Sequence, residues 1–205
     1  MALAEDLRGE ALLRFSCHTT AYTPDQSGPG STEMGIHCER CHGQGLQHSR
    51  LMEGPNAPPH GQDVKISNPG RLDAFAQAEM CGACHGRPPR DTDLAAIQFI
   101  ERTPDTARFP SQRLVLSHCY NESADGIKCT TCHDPHSNVT AQRSQRDRSC
   151  ISCHTGRVRS KARVCPTATS NCVSCHMPKQ RVMQHSEFTD HWIRVSSAKA
   201  PGGLQ

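Results

Sequence analysis

Aromatic residues make up only 4% of this 205-residue chain, and apolar residues of all kinds make up 35%. That is lean for a conventional hydrophobic core. Almost no aromatic residues lie among the basic ones, which argues against a nucleic-acid-binding surface. No segment is long and apolar enough to span a membrane. The low apolar content predicts that something other than protein side chains supplies much of the buried surface.

Cysteine is abundant by contrast, with 13 residues, of which ten fall into one repeated pattern. Two cysteines lie three positions apart, and a histidine follows the second directly. Zinc also binds paired cysteines of this spacing, but zinc does not explain a histidine after every pair. The pattern is the attachment signature of c-type haem. It occurs five times, as Cys38-Glu-Arg-Cys41-His42, Cys81-Gly-Ala-Cys84-His85, Cys129-Thr-Thr-Cys132-His133, Cys150-Ile-Ser-Cys153-His154 and Cys172-Val-Ser-Cys175-His176.

The sequence therefore predicts five haem c groups, each bound by two thioethers and by the adjacent histidine as proximal iron ligand. A sixth attachment site is predicted at Arg14-Phe-Ser-Cys17-His18, which has the second cysteine and the histidine of the motif but not the first cysteine. A haem bound there would have a single thioether, with His18 as proximal ligand. The alternative is a free thiol beside an ordinary histidine.

Histidines outside the five motifs are candidate distal ligands: His48, His60, His118, His136, His185 and His191. For each of them the alternative is an ordinary surface or core histidine. His136 lies three residues after His133, and so short a connection cannot cross a porphyrin roughly 10 Å wide. We therefore expect His136 to bind a haem other than the one attached at Cys129 and Cys132.

The predicted fold is mainly α with extensive loops and little or no sheet, forming one unit over residues 1–205 packed around stacked haems. Helices are predicted over residues 2–14, 71–80 and 111–120. A further helix is predicted to begin after a cap at Asp91 or Asp93 and to end near Arg102. Residues 23–35 are predicted to be loop because of their glycines and prolines. The tail, residues 196–205, is predicted to be flexible, and Cys119 and Cys165 are predicted to form a disulfide.

Several motifs resemble those of bacterial multihaem cytochromes c. They are Cys-Glu-Arg-Cys-His-Gly-Gln-Gly, Cys-Thr-Thr-Cys-His-Asp-Pro-His, Cys-Val-Ser-Cys-His-Met-Pro-Lys and the late Thr-Asp-His. The resemblance lies near the branch of pentahaem nitrite reductases, hydroxylamine oxidoreductases and their tetrahaem electron acceptors. It implies that His48, His136, His185 and His191 bind iron. The Cys-x-x-Cys-Lys motif of many nitrite reductases does not occur in this sequence.

The histidine surplus predicts an electron relay with mostly bis-histidine haems, no catalytic residue and redox proteins as partners. The alternatives are a small reductase of a nitrogen or sulfur oxyanion and a subunit of an extracellular cytochrome filament or larger electron-transfer complex. Covalent haem predicts a periplasmic or extracellular location. Because residues 1–14 lack the apolar run of a signal peptide, we expect a leader or upstream portion to be missing from the sequence.

Overall fold

Short helices joined by loops make up most of the chain, and two small antiparallel hairpins complete it. The computed structural model describes residues 16–25, 28–59, 62, 64–123, 126–138, 146–154 and 164–195. The predicted helix over residues 2–14, the flexible tail and His60 lie outside these ranges. The mainly helical class is confirmed. No helix among the described residues has the length and apolar character needed to cross a membrane.

The chain divides into two compact units, Met1–Leu72 and Asp73–Gln205, called here the first and the second unit. The prediction of one haem-packed unit over the whole chain stays a prediction. The first unit contains strands β1 (Thr19–Asp25) and β2 (Gly28–Met34), helices α1 (Cys38–His42) and α2 (Leu46–Glu53), and a 3-10 turn at Pro69–Arg71.

The second unit carries seven described helices and one hairpin. The helices are α3 (Ala74–His85), α4 (Leu94–Arg102), α5 (Pro110–Leu114), α6 (His118–Glu122), α7 (Cys129–Cys132), α8 (Arg146–His154) and α9 (Cys172–His176). A 3-10 turn at Pro104–Arg108 precedes α5. Strands β3 (Lys179–Met183) and β4 (Ser186–Thr189) form the hairpin.

The hairpin β1–β2 corrects the prediction of loop for residues 23–35. Pro24 pairs with Pro29 in the ladder, and the register shifts between Tyr22 and Pro24. Proline interrupts the hydrogen bonds of a central strand but is tolerated on an edge. Both strands of a two-stranded ribbon are edges, so glycine and proline do not prevent pairing here.

Of the two predicted helices that begin at aspartates, α4 has the expected ends, whereas α3 covers Ala74–His85 in place of the predicted residues 71–80. Asp73 accepts a hydrogen bond from the Ala76 amide and begins α3, and Asp93 accepts one from the Ala96 amide and begins α4. A side-chain carboxylate at the N-cap satisfies an amide that has no partner within the helix. The prediction of one helix over residues 111–120 is wrong, because α5 ends at Leu114 and α6 begins at His118, after Ser117 as its N-cap.

The described residues bury few apolar side chains, and most of the deeply buried groups are polar. The buried apolar residues are Ala78, Ile100, Ala107 and Leu114, whereas Gln77, Ser117 and Asp190 are all 0% exposed. A buried polar group is costly unless it is hydrogen-bonded. The contacts of these three residues therefore explain much of how the second unit is held together.

Candidate haem-binding sites

All five complete motifs lie on short helices or at helix ends. The motifs of Cys38 and Cys172 form α1 and α9, those of Cys81 and Cys150 end α3 and α8, and that of Cys129 spans α7 with His133 just beyond it. Side chains three apart share one face of a helix. The two thiols of each motif can therefore reach one edge of the same porphyrin, with the histidine close behind.

Glycine ends the longest of these helices directly after its histidine. Gly86 follows His85 with a φ of +80°, a conformation that L side chains rarely adopt. A side chain at this position would also collide with Phe109. Because only glycine fits both conditions, α3 stops at the last residue of its motif.

Two proximal histidines are oriented by backbone carbonyls. His42 Nδ1 lies 2.8 Å from the Ser67 oxygen, and His176 Nδ1 lies 3.0 Å from the Arg194 oxygen. A carbonyl only accepts, so Nδ1 carries the proton in both rings, and Nε2 keeps the lone pair that binds a metal. Such a second hydrogen bond is the usual partner of a metal-binding histidine.

The same arrangement occurs at two of the candidate distal ligands. His48 Nδ1 lies 2.8 Å from the Val64 oxygen, and His191 Nδ1 lies 3.0 Å from the Thr189 oxygen. Both side chains are partly buried. Burial lowers the pKa of His191, and the nearby His133 and His85 lower it further. The neutral form of the ring, which is the form that binds a metal, is thereby favoured.

The rings of His133 and His191 lie close together. Their centroids are 6.2 Å apart, and their planes are inclined by 35°. With metal–nitrogen bonds of about 2 Å, two imidazoles on opposite sides of one metal ion have centroids roughly 6 Å apart. At this spacing His133 and His191 would be able to hold one iron together. The spacing of residues in the sequence did not predict that these two histidines lie close together, because they are 58 positions apart.

The other candidate ligands are more open to solvent. His18, His118, His136 and His185 are exposed. His136 Nδ1 lies 3.4 Å from Asp134 Oδ1, and the His136 amide donates a hydrogen bond to the same oxygen. The structure thus places His136 in a turn beside Asp134, with its side chain 76% exposed. Its predicted role as a ligand of a second haem stays a prediction.

Side-chain hydrogen bonds link successive motif helices of the second unit. Gln77 of α3 accepts hydrogen bonds from both the amide (3.0 Å) and the hydroxyl (3.2 Å) of Thr130 in α7. Ser149 of α8 donates to the Thr131 carbonyl (2.8 Å). Asp147 of α8 accepts from the amides of Asn171 and Cys172 at the start of α9. We call these three residues the helix clamps; they connect the motifs in the order α3, α7, α8, α9.

Cysteines from different motifs meet at two of these junctions. The Cys129 thiol donates a hydrogen bond to Cys81, which lowers the pKa of Cys81 to about 7 and raises that of Cys129. Burial, together with the nearby Cys172, raises the pKa of Cys150 to about 12. These values apply to thiols before haem attachment. Their contacts show that the second and third motifs adjoin each other, as do the fourth and fifth.

The cysteines outside the complete motifs are not joined to each other. Cys119 and Cys165 are both free thiols, so the predicted disulfide between them is wrong. Burial raises the pKa of Cys119, and the nearby Cys132 and Cys153 raise it further. Cys119 therefore lies beside the third and fourth motifs. Cys17 is partly buried next to the exposed His18, and Arg40 of α1 donates to the neighbouring Ser16 carbonyl.

One buried polar atom fits the presence of a further group near these thiols. The Tyr120 hydroxyl is buried and has no hydrogen-bond partner among the described residues. Burial raises the pKa of Tyr120, and the nearby Cys129 and Asp73 add to the effect. A buried hydroxyl without a hydrogen-bond partner is unusual in a folded protein. Over the same part of the chain, no cluster of three or more His, Cys, Asp or Glu side chains has the geometry of a metal-ion site.

Comparisons with known proteins found one family model and one relative that the chain resembles. The family model described as cytochrome c554 and c-prime matches residues 3–43, a stretch that contains Cys17 and the first complete motif. Over 177 residues the chain is 25% identical to the dissimilatory sulfite reductase MccA of Wolinella succinogenes. That match covers 70% of this chain but only 22% of the relative's length. No solved structure matches the chain.

Both matches support a multihaem cytochrome c family for this chain. Such a family implies haem c as the cofactor. The residues fit that group, because each of the five motifs offers two thiols on one helix face and an adjacent imidazole. The sequence alone predicted these attachment sites, but it did not reveal the clamps Gln77, Ser149 and Asp147, whose residue types carry no signal of haem binding.

Proposed function

We propose that the chain is an electron-transfer cytochrome that relays electrons through a series of mostly bis-histidine haems. Haem iron supplies a one-electron redox couple, and an iron with two imidazole ligands has no open position for a substrate. The observation that carries the proposal is the pairing of His133 with His191 at a centroid distance of 6.2 Å. This distance fits two axial ligands of the haem attached at Cys129 and Cys132.

The helix clamps support one order for the proposed relay. Gln77, Ser149 and Asp147 connect the four motif helices of the second unit in sequence. We propose that electrons pass along the haems attached at Cys81, Cys129, Cys150 and Cys172 in this order or its reverse. The thiol contact between Cys81 and Cys129 supports close approach of the first two.

The proposed haem content is five groups with two thioethers each and a sixth held by Cys17 alone, with His18 as its proximal ligand. The match of the cytochrome c554 and c-prime model to residues 3–43 supports the sixth site, because Cys17 and His18 lie inside it. Intact mass after removal of non-covalent cofactor counts the attached groups. A Cys17→Ala variant is expected to lose the mass of one haem, and a mass for fewer than five haems in the parent chain would contradict the proposal.

We place the protein in the periplasm or outside the cell, where covalent haem is normally attached, with redox proteins as partners. The proposal extends to assembly into a filament or a larger electron-transfer complex. The exposed His118, His136 and His185 are the residues we propose for ligation of further irons, including those of a second copy.

The spin state of the irons tests the relay. Mostly bis-histidine ligation is expected to give low-spin spectra in both oxidation states and little binding of carbon monoxide after reduction. His191→Ala should convert one haem to a high-spin form that binds carbon monoxide. An unchanged spectrum in this variant would refute the pairing with His133.

A reductase of a nitrogen or sulfur oxyanion is the second candidate. The similarity to a protein named as a sulfite reductase favours it. This function requires one iron with an open distal side. Turnover of sulfite, nitrite or hydroxylamine by the parent chain with a chemical reductant, together with a high-spin haem, would favour the reductase over the relay.

A further inference from the structure

The segment that carries His191 has no regular secondary structure of its own. Strand β4 ends at Thr189, and residues 190–195 continue without helix or strand. A metal ligand in such a segment needs other contacts to hold its backbone, since loops are otherwise the more mobile parts of a protein. The residues around His191 provide these contacts on both sides.

Asp190 fixes the side that precedes His191. Its carboxylate is 0% exposed and accepts two hydrogen bonds from Arg113, at 2.9 Å to Nε and 2.8 Å to Nη2. It also accepts one from Arg194 Nη1 at 2.8 Å and one from the Trp192 amide at 3.0 Å. The last bond crosses over His191, so the carboxylate defines the backbone on both sides of the ligand.

Ser117 holds the same segment through a second pair of hydrogen bonds. Its hydroxyl donates to the His191 carbonyl at 3.2 Å and accepts from the Ile193 amide at 2.8 Å. Ser117 is fully buried between α5 and α6, where the predicted single helix breaks. The break therefore places the Ser117 hydroxyl within hydrogen-bonding distance of the segment that carries His191.

Trp192 and the two arginines complete the arrangement. The guanidinium carbons of Arg113 and Arg194 lie 5.2 Å and 4.4 Å from the centre of the Trp192 ring. Arg113 Nη1 also donates to the Ile100 carbonyl at 2.8 Å. The segment is thereby anchored to α4 and α5, elements that carry no haem motif.

A buried ion pair contributes little net stability compared with an apolar replacement. Its hydrogen bonds nevertheless constrain the orientation of the two side chains that form it. We propose that Asp190, held by Arg113 and Arg194, is a positioning residue that keeps His191 in place as the axial ligand opposite His133. This inference rests on the proposed relay, in which His191 is a distal ligand. It assigns to the cluster a role in ligand placement, beyond its contribution to packing.

The test compares three variants of the haem-loaded chain with its parent. His191→Ala removes the proposed ligand, and Asp190→Asn removes the charge that binds both arginines. Ser117→Ala removes the two hydrogen bonds of the Ser117 hydroxyl to the segment and disturbs the interior less. The readouts are the high-spin fraction, carbon monoxide bound per reduced chain, and haem content by intact mass. We expect Asp190→Asn to bind about one carbon monoxide per chain, as His191→Ala does, with all haems still attached. Ser117→Ala should give a smaller fraction.

A matched control is available in the neighbouring hairpin. Arg181 and Glu187 form an exposed ion pair at 3.7 Å, and Glu187→Gln should leave the high-spin fraction and the bound carbon monoxide as they are in the parent chain. The double variant Asp190→Asn with His191→Ala should bind no more carbon monoxide than His191→Ala alone, because both changes act on one ligand.

The outcomes separate the inference from the proposed function. If His191→Ala creates a high-spin haem but neither Asp190→Asn nor Ser117→Ala does, the positioning role is wrong and the ligand role stands. If His191→Ala leaves all irons low-spin, the ligand role fails and the positioning role with it. If Asp190→Asn does not fold, Ser117→Ala decides the question on the same readouts.

Discussion

The two units hold their haem motifs in different ways. In the first unit, one complete motif on α1 is supported by loop carbonyls, with Ser67 binding His42 and Val64 binding His48. In the second unit, four motif helices are joined to one another by the clamps Gln77, Ser149 and Asp147. The first arrangement orients a single site, whereas the second fixes several sites relative to one another, as a relay requires.

The largest expected effect is the loss of haem, and we expect to see it in the second unit, which carries four of the five complete motifs. Its fully buried apolar residues are few, and its clamps join helices as short as the four residues of α7. Isolated helices of such length are not stable in water. We expect the chain produced without haem attachment to show little amide protection in α3 and α7 by hydrogen exchange, whereas the haem-loaded chain is protected there. Strong protection of these helices without haem would contradict the idea that haem supplies the missing core.

The second expected effect concerns one clamp. Gln77→Leu removes the acceptor of both Thr130 hydrogen bonds and should lower the free energy of unfolding of the haem-loaded chain by about 1–3 kcal/mol. Thermal or denaturant unfolding measures the change. Gln98→Leu on the exposed face of α4 is the control and should have little effect. Equal effects of the two substitutions would show that Gln77 does not act as a clamp.

The third prediction tests whether a motif of the second unit also reaches a neighbouring haem. His136→Ala should alter the spectrum and potential of one haem and leave attachment at Cys129 and Cys132 intact, because His133 remains the proximal ligand. Spectra, redox titration and intact mass measure these three properties. Low-spin irons with unchanged potentials would mean that His136 only forms the turn with Asp134.

The smallest expected effect is at the surface of the same unit. Arg181 and Glu187 are 72% and 48% exposed and lie 3.7 Å apart. Exposed ion pairs contribute about 0–1 kcal/mol. Glu187→Gln should therefore change the free energy of unfolding by less than Gln77→Leu does. The effect of Glu187→Gln should become still smaller at high salt, because salt screens exposed charges. A larger loss than at Gln77 would reverse the ranking of clamps over surface charges.

The sequence predicted best those features that depend on neighbours along the chain. The capping aspartates Asp73 and Asp93 sit at the starts of α3 and α4, although only the second was named in advance, as one of two choices. The mainly helical class followed from composition and spacing. The hairpin β1–β2 was missed because prolines and glycines predict loop, and a two-stranded ribbon tolerates them.

Long-range contacts explain what the sequence could not reveal. The break at Ser117 depends on Ile193 and His191, which lie more than 70 positions further along the chain. Gln77 reads as an ordinary helix residue, and only its contact with Thr130 gives it a role. No local pattern connects His133 with His191, or Arg113 with Asp190, although each of these pairs is close together in the structure.

The spacing of these contacts along the chain sets an order in which they should form during folding. The bond from Ser149 to Thr131 closes 18 residues, that from Cys172 to Asp147 closes 25, and that from Thr130 to Gln77 closes 53. The Arg113–Asp190 pair closes 77. Each doubling of a flexible loop costs about 0.6 kcal/mol more in closure entropy. Among the contacts between motif helices, the junction of α7 with α8 is therefore favoured to form first, and the Arg113–Asp190 pair should form after all three of them.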